Sequence, residues 1–121
     1  MSRANQRFTE AEGFGALVTK TTGGTLTIAE IAGGRILADT SSGAIALYLP
    51  TPTSKIEMRV CYIANKDGSN DLTIVAQSGA SYFGAGATTG SDTATLSKAG
   101  EMAIVMAIDG NWYITTADTL A

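Results

Sequence analysis

Five of the six aspartates, Asp39, Asp67, Asp71, Asp92 and Asp109, and a single thiol, Cys61, are the first candidates for chemistry in this sequence. Histidine is absent, which removes the usual general base near neutral pH, the Ser-His-Asp and Cys-His arrangements, and the common zinc ligand sets. Each of these five aspartates falls in or beside a turn. There a carboxylate ordinarily bonds a nearby backbone NH, so turn formation outweighs a catalytic pair. A calcium site from Asp67, Asp71 and neighbouring carbonyls does not follow the spacing of the oxygen-rich calcium loop. Cys61, between Val60 and Tyr62, has no partner for an intrachain disulfide and reads as a small buried hydrophobe. Gly84-Ala85-Gly86 matches only a fragment of the dinucleotide fingerprint and has no βαβ pattern around it, so it reads as loop. We assign no catalytic, cofactor-binding or metal-ligating residue and read the chain as a non-enzyme.

The aromatic pairs Tyr82-Phe83 and Trp112-Tyr113 are the remaining candidates. Such residues stack on sugars, fill cores or meet other subunits, and in a β fold core or interface is the commoner use. Trp112 and Tyr113 lie in the segment around which the chain is organised, Glu101 to Thr115, reading EMAIVMAIDGNWYIT. Met102, Ile104, Met106 and Ile108 alternate with Ala103, Val105 and Ala107, and an Asp-Gly pair leads into a second apolar run, which predicts a β-hairpin. No charge interrupts residues 102–108, so both faces of the strand are expected to be covered. A turn of Asp109-Gly110 alone pairs Ile108 with Asn111 and Met106 with Tyr113. A turn from Asp109 to Asn111 pairs Ile108 with Trp112 and Met106 with Ile114. The second is preferred, because it gathers the large residues on one face and leaves Ala103 and Ala107 to meet another layer closely.

Other strands follow from the same alternation. Thr25 to Ile28 reads as a short strand after Gly23-Gly24, and Ile36-Leu37-Ala38 as the next after Gly33-Gly34. Asp39 to Gly43 is a turn whose Asp and Ser side chains bond nearby NH groups. Ala44 to Leu49 points Ile45, Leu47 and Leu49 one way, and Pro50 and Pro52 stop it. In the run Met58 to Ala64, Met58, Val60 and Tyr62 oppose Arg59, Cys61 and Ile63; Arg59 is either at an exposed edge or paired across a subunit boundary. Asn65 to Asn70 reads as an exposed turn. Leu72 to Ala76 is a strand with Leu72 and Ile74 inward, Gln77 to Ser91 a long glycine-rich loop, and Thr93 to Leu96 a further short strand. With no long helix and seven or eight short strands, the fold class is all-β: a β-sandwich, jelly-roll-like, or a small antiparallel barrel. The first 24 residues form an extended N-terminal arm, weakly able to start a helix at Thr9, and residues 25–121 form the β domain.

Charged residues make up 16 % of the chain, against an ordinary share of about a quarter. A surface polar mainly through hydroxyls and backbone suits a protein covered largely by copies of itself or by a host assembly. The net charge of −3 gives no basis for a nucleic-acid surface, although Arg3 and Arg7 make the start locally basic. No stretch approaches a membrane span and the N-terminus lacks the apolar core of a signal peptide, so the chain reads as made and used without secretion.

Three stretches in order carry a family likeness: DTSSGAIALYLP (Asp39 to Pro50), NDLTIVAQSGASYFG (Asn70 to Gly84) and AIVMAIDGNWYIT (Ala103 to Thr115). Together they resemble the recurrent β module of tailed-bacteriophage virion proteins, found in fibres, head decorations and related appendages. The likeness spans roughly Thr25 to Thr115. It implies a homotrimer without enzymatic activity or cofactor. No shaft or coiled coil precedes the module here, so the likeness points to a capsid decoration (cement) protein. Such a protein is assembled in the host cytoplasm, sits on the capsid surface of the virion and binds the major capsid protein, with no nucleic acid or membrane partner. The alternative is a tail-fibre, head-fibre or baseplate component that binds a host glycan. On the cement reading, Arg3, Arg7, Phe8 and Phe14 of the arm contact the capsid, and Arg59, Tyr82, Phe83 and Tyr113 contribute to the oligomer interface.

Overall fold

The computed structural model describes residues 15–76, 81–83 and 93–117. Among them, alternating apolar residues become ten strands in two sheets. One sheet has six strands in the order β1 (Val18–Lys20), β3 (Arg35–Ala38), β5 (Val60–Asn65), β9 (Met102–Ile108), β10 (Asn111–Ala117) and β7 (Ser81–Phe83). The other has four, in the order β2 (Gly24–Thr25), β4 (Ile45–Leu49), β6 (Leu72–Ala76) and β8 (Thr93–Leu96). Strands dominate and the fold is all-β.

From β1 to β9 the chain changes sheet after every strand. Neighbours therefore run parallel in β1–β3, β3–β5, β2–β4, β4–β6 and β7–β10, and antiparallel in β5–β9, β9–β10 and β6–β8. An antiparallel barrel is not what these pairings build. Alternation tells a strand which face to bury, but a short strand reads the same whether its successor returns beside it or crosses to another layer. The winding is regular: Arg35 pairs with Tyr62 and Ile45 with Leu72, the same step of 27 residues, so β3 and β4 are stacked on by β5 and β6.

Both sheets feed one core. Ile36, Cys61, Ile63, Val105, Trp112 and Ile114 enter it from the six-stranded sheet, and Ile45, Leu47, Leu49, Leu72, Ile74 and Leu96 from the four-stranded one. Polar contacts close it at two places. The indole NH of Trp112 donates to the Pro50 carbonyl at 2.9 Å. Asn65, fully buried at the end of β5, accepts from the Thr40 hydroxyl at 2.9 Å and donates to the Leu96 carbonyl at 2.9 Å. Thr40 also donates to the Asp67 carbonyl, and the Asn70 amide donates to that of Thr40 at 2.6 Å, joining the two stacked turns. The expected exposed turn thus begins one residue later, because Asn65 is used as an internal polar brace.

Two further local expectations are corrected. Thr25 to Ile28 is not a single strand: β2 ends at Thr25, and α1 (Ile28–Gly33) follows. The Thr27 hydroxyl accepts from the Glu30 NH at 3.1 Å and the Glu30 carboxylate from the Thr27 NH at 3.0 Å, a reciprocal cap that starts the helix. Gly34 at φ 85° ends it. The hairpin uses the tighter turn, with Ile108 opposite Asn111, Ala107 opposite Trp112 and Met106 opposite Tyr113. Asp109 at φ 51° and Gly110 at φ 81° form the left-handed pair that matches the twist of the strands. Of the 24-residue arm, residues 1–14, including the Thr9 helix start, lie outside the described residues, and Val18–Lys20 and Gly24–Thr25 are edge strands of the two sheets.

Candidate interface on the outer face of the six-stranded sheet

The corrected hairpin register decides which side chains the protein shows. Trp112 needs a small residue opposite, and Ala107 provides it. Ala103, Val105 and Ala107 therefore point into the core, each 0 % exposed, and Met102, Ile104, Met106 and Ile108 are sent to the outside, where they are half-buried. Strand β5 repeats the pattern, with Cys61 and Ile63 inside and Val60, Tyr62 and Ala64 outside; Leu37 of β3 and Tyr113 of β10 are also outward.

Register turns these residues into rows. Tyr62 lies between Arg35 and Ile104, Met106 between Val60 and Tyr113, and Ala64 between Leu37 and Met102. Among the outward positions of β3, β5, β9 and β10, Arg35 alone is charged, and its guanidinium donates to the Gly15 carbonyl at 2.6 Å at the margin of the sheet. Tyr62 and Tyr113 are each 38 % exposed. The outer side of the four-stranded sheet is equally free of charge but richer in hydroxyls: Ala46 aligns with Thr73 and Thr95, and Tyr48 with Thr25, Val75 and Thr93. An apolar exterior is thus a property of one sheet, not of the whole surface.

The residues singled out from sequence fall differently. Tyr113 is on this face, and Tyr82 on β7 stands at its register position; Phe83 pairs with Ile114, one position along. Arg59 precedes β5 and donates to the Ala32 carbonyl of α1 at 3.4 Å, away from the apolar rows. Trp112 is core. Arg3, Arg7, Phe8 and Phe14 lie outside the described residues. Sequence reading missed Leu37, Val60, Tyr62, Met102, Ile104 and Met106 as a surface. The uncharged run 102–108 was the available signal, since a strand with no polar side demands cover on both faces.

Asp39, Asp67 and Cys61 have structural partners or burial, and Asp92 lies outside the described residues. Asp39 accepts from the Ser41 NH at 3.1 Å and Asp67 from the Ser69 NH at 2.8 Å, and these serine contacts hold each carboxyl below its usual range. Burial, with the Glu30 charge nearby, pushes the Cys61 thiol up to about 12, which suppresses the nucleophilic thiolate. Among the described residues no group of three or more Cys, Asp or Glu gathers as a metal site, and no helix is long and apolar enough to cross a membrane. A hollow of about 130 Å³ beside Lys20, Gly23 and Leu47 is smaller than ligand clefts, which run to roughly 300 Å³ and above.

Comparison with protein-family models and with curated proteins finds no match to the chain.

Proposed function

We propose that this chain is a structural protein of a tailed-phage virion, a capsid decoration or cement protein that binds the outer surface of the head and stabilises the lattice of the major capsid protein. In this reading it acts as a homotrimer without enzymatic activity, and its two sheets form a β-sandwich whose winding departs from an all-antiparallel jelly roll. The observation that carries the reading is the combination of a charge-poor all-β domain with one sheet face built mainly of Leu, Val, Ile, Met and Tyr. A protein that works by covering and being covered needs such a face, whereas a soluble catalyst needs a cleft with convergent polar groups. The three sequence stretches that resemble phage virion modules supply the class of assembly, and the arm supplies a tether whose weak contacts would add across a repeating shell.

The test is binding to expanded, DNA-free phage heads that lack the chain, comparing full-length protein with a variant missing residues 1–14. The deletion stops there because the Gly15 NH already donates to the Gly33 carbonyl at 2.8 Å and belongs to the fold. Binding lost with the arm, in a variant of unchanged circular dichroism, is the expected result. Heads that capture neither form would sink the cement reading and make a glycan-array screen the next experiment.

A further inference from the structure

We infer that the outer face of the six-stranded sheet is where copies of this chain meet, with Tyr62, Ile104, Met106 and Tyr113 at the centre of the contact. The inference rests on the oligomeric part of the reading above and assigns it a surface.

Three observations select a second copy as the occupant. The first is charge. The central row Val60–Met106–Tyr113 carries no acid or base, and the row Tyr62–Ile104–Thr115 meets its one charge, Arg35, only at the margin of the sheet, although the chain has 11 acidic and 8 basic residues to place. A partner recognised by charge has nothing to hold here, whereas two copies of an uncharged face meet without like-charge repulsion. The second is composition. Met and Tyr are enriched and acidic residues depleted in protein interfaces, and contacts between identical subunits are the most apolar. The outward set Tyr62, Met102, Met106 and Tyr113, with Ile104 and Val60, has that composition, and the Thr-rich outer side of the other sheet lacks it.

The third is area. Four adjacent strands at about 4.8 Å spacing, averaging some 20 Å in length, give a patch on the order of 400 Å² in projection. That is half of the ~800 Å² that one partner contributes to a specific complex, before residues flanking the four strands are added. Sheets also pack face to face without remodelling, at about 10 Å. The exposed Met58, at 60 %, lies two residues before β5 and adds apolar surface near the start of that strand.

The test is the mass of the full-length chain by sedimentation equilibrium across the micromolar range, for wild type and three variants. Met106→Glu and Tyr62→Lys place a charge in the proposed contact; Thr95→Glu places one on the outer side of the four-stranded sheet. Tyr62 is already partly exposed, so Tyr62→Lys keeps the test sound even where Met106→Glu fails to fold. The expected result is an oligomeric wild type, a dissociation constant raised roughly a hundredfold or more by each face variant, as for loss of an interface anchor, and no change with Thr95→Glu. A monomeric wild type, or an oligomer that survives both face variants with native circular dichroism, overturns the inference. The outcome is separable from that of the cement reading. Loss of self-association by the face variants upholds this surface even if phage heads are not bound, and head binding by an oligomer indifferent to Tyr62→Lys upholds cement while removing this surface.

Discussion

The side-chain amide of Asn65 on β5 donates to the main-chain carbonyl of Leu96 on β8 at 2.9 Å, so one residue pins the two sheets together where the stacked turns meet. Its oxygen also takes the Thr40 hydroxyl and the Asp67 NH. Replacing it by Leu preserves size but strands these groups. Each buried polar group left unpaired costs about 1–3 kcal/mol, so Asn65→Leu should lower stability by roughly 3 kcal/mol and Thr40→Val by about 1–2 kcal/mol. The double variant should lose less than the sum, because the two share a hydrogen bond. Urea denaturation measures all three, and a loss below about 1 kcal/mol for Asn65→Leu would mean that solvent reaches this corner.

The inside-out arrangement of β9 gives a second prediction. Ala107 faces Trp112 in the core, and Met106 faces outward. Ala107→Leu should therefore destabilise the fold by about 2–3 kcal/mol through overpacking, while Met106→Leu, a swap of similar volume, should cost under ~1 kcal/mol. Thermal melts of the two variants decide it. Equal effects would mean that the hairpin pairs differently.

Acid should weaken the contact between α1 and β1. Burial opposes the charge of Glu30, but the Lys20 ammonium at 2.5 Å and the hydrogen bonds of Thr27 outweigh it and hold the carboxyl below its usual 4.5. With the folded value depressed, the unfolded chain takes up the proton first. The stabilisation is complete well above 4.5 and fades as pH falls through the depressed value. Glu30→Gln should leave a shallower acid limb in a pH series of melting temperatures, with its largest difference from wild type near neutrality.

Cys61 should be silent in the native protein. It is 0 % exposed and its thiol is pushed up to about 12. Ellman's reagent at neutral pH should show no reaction over the time in which a free thiol is consumed, and full reaction in guanidinium. Rapid labelling without denaturant would show that β5 opens locally.

Sequence periodicity separated the two sides of β4, β5 and β6 and named Leu72 and Ile74 as inward; the structure buries those two, and one side of each other strand, Ile45, Leu47 and Leu49, then Cys61 and Ile63. Each rests on local alternation, which is a property of a single strand. Partnership is not. Which strand lies beside which depends on connections between layers, and nothing in residues 36–49 or 63–76 marks them as stacked equivalents except the spacing of Ile36 and Ile63 or Leu47 and Ile74. The hairpin register was misread because large residues were assumed to share a face; the volume of Trp112 imposed the opposite choice on Ala107. The helix was missed because its signal, Thr27 three residues before Glu30, is compact and sits beside residues of strand character. The apolar outer face was legible only in part, from the charge-free run 102–108, because its other members lie one to a row on β3, β5 and β10.

Changing sheet after nearly every strand has a consequence for how the chain reaches this state. Among the described strand pairs only β9 and β10 are joined by a tight turn, whereas even the nearest partners in other pairs, Val18 with Ile36 or Val75 with Thr93, stand 18 residues apart. Each such pair must meet the entropy of closing a loop before its ladder and its buried side chains repay it. Topologies of this kind cross their barrier slowly, on the millisecond-to-second scale of non-local β proteins. The Asp109-Gly110 hairpin is then the most local pairing, while the far edges of β5 and β6, made earlier on the ribosome, stay open until β9 and β8 are made. Until they arrive, the same uncharged strands that give the finished sheet its outer face are open to pairing with the wrong chain.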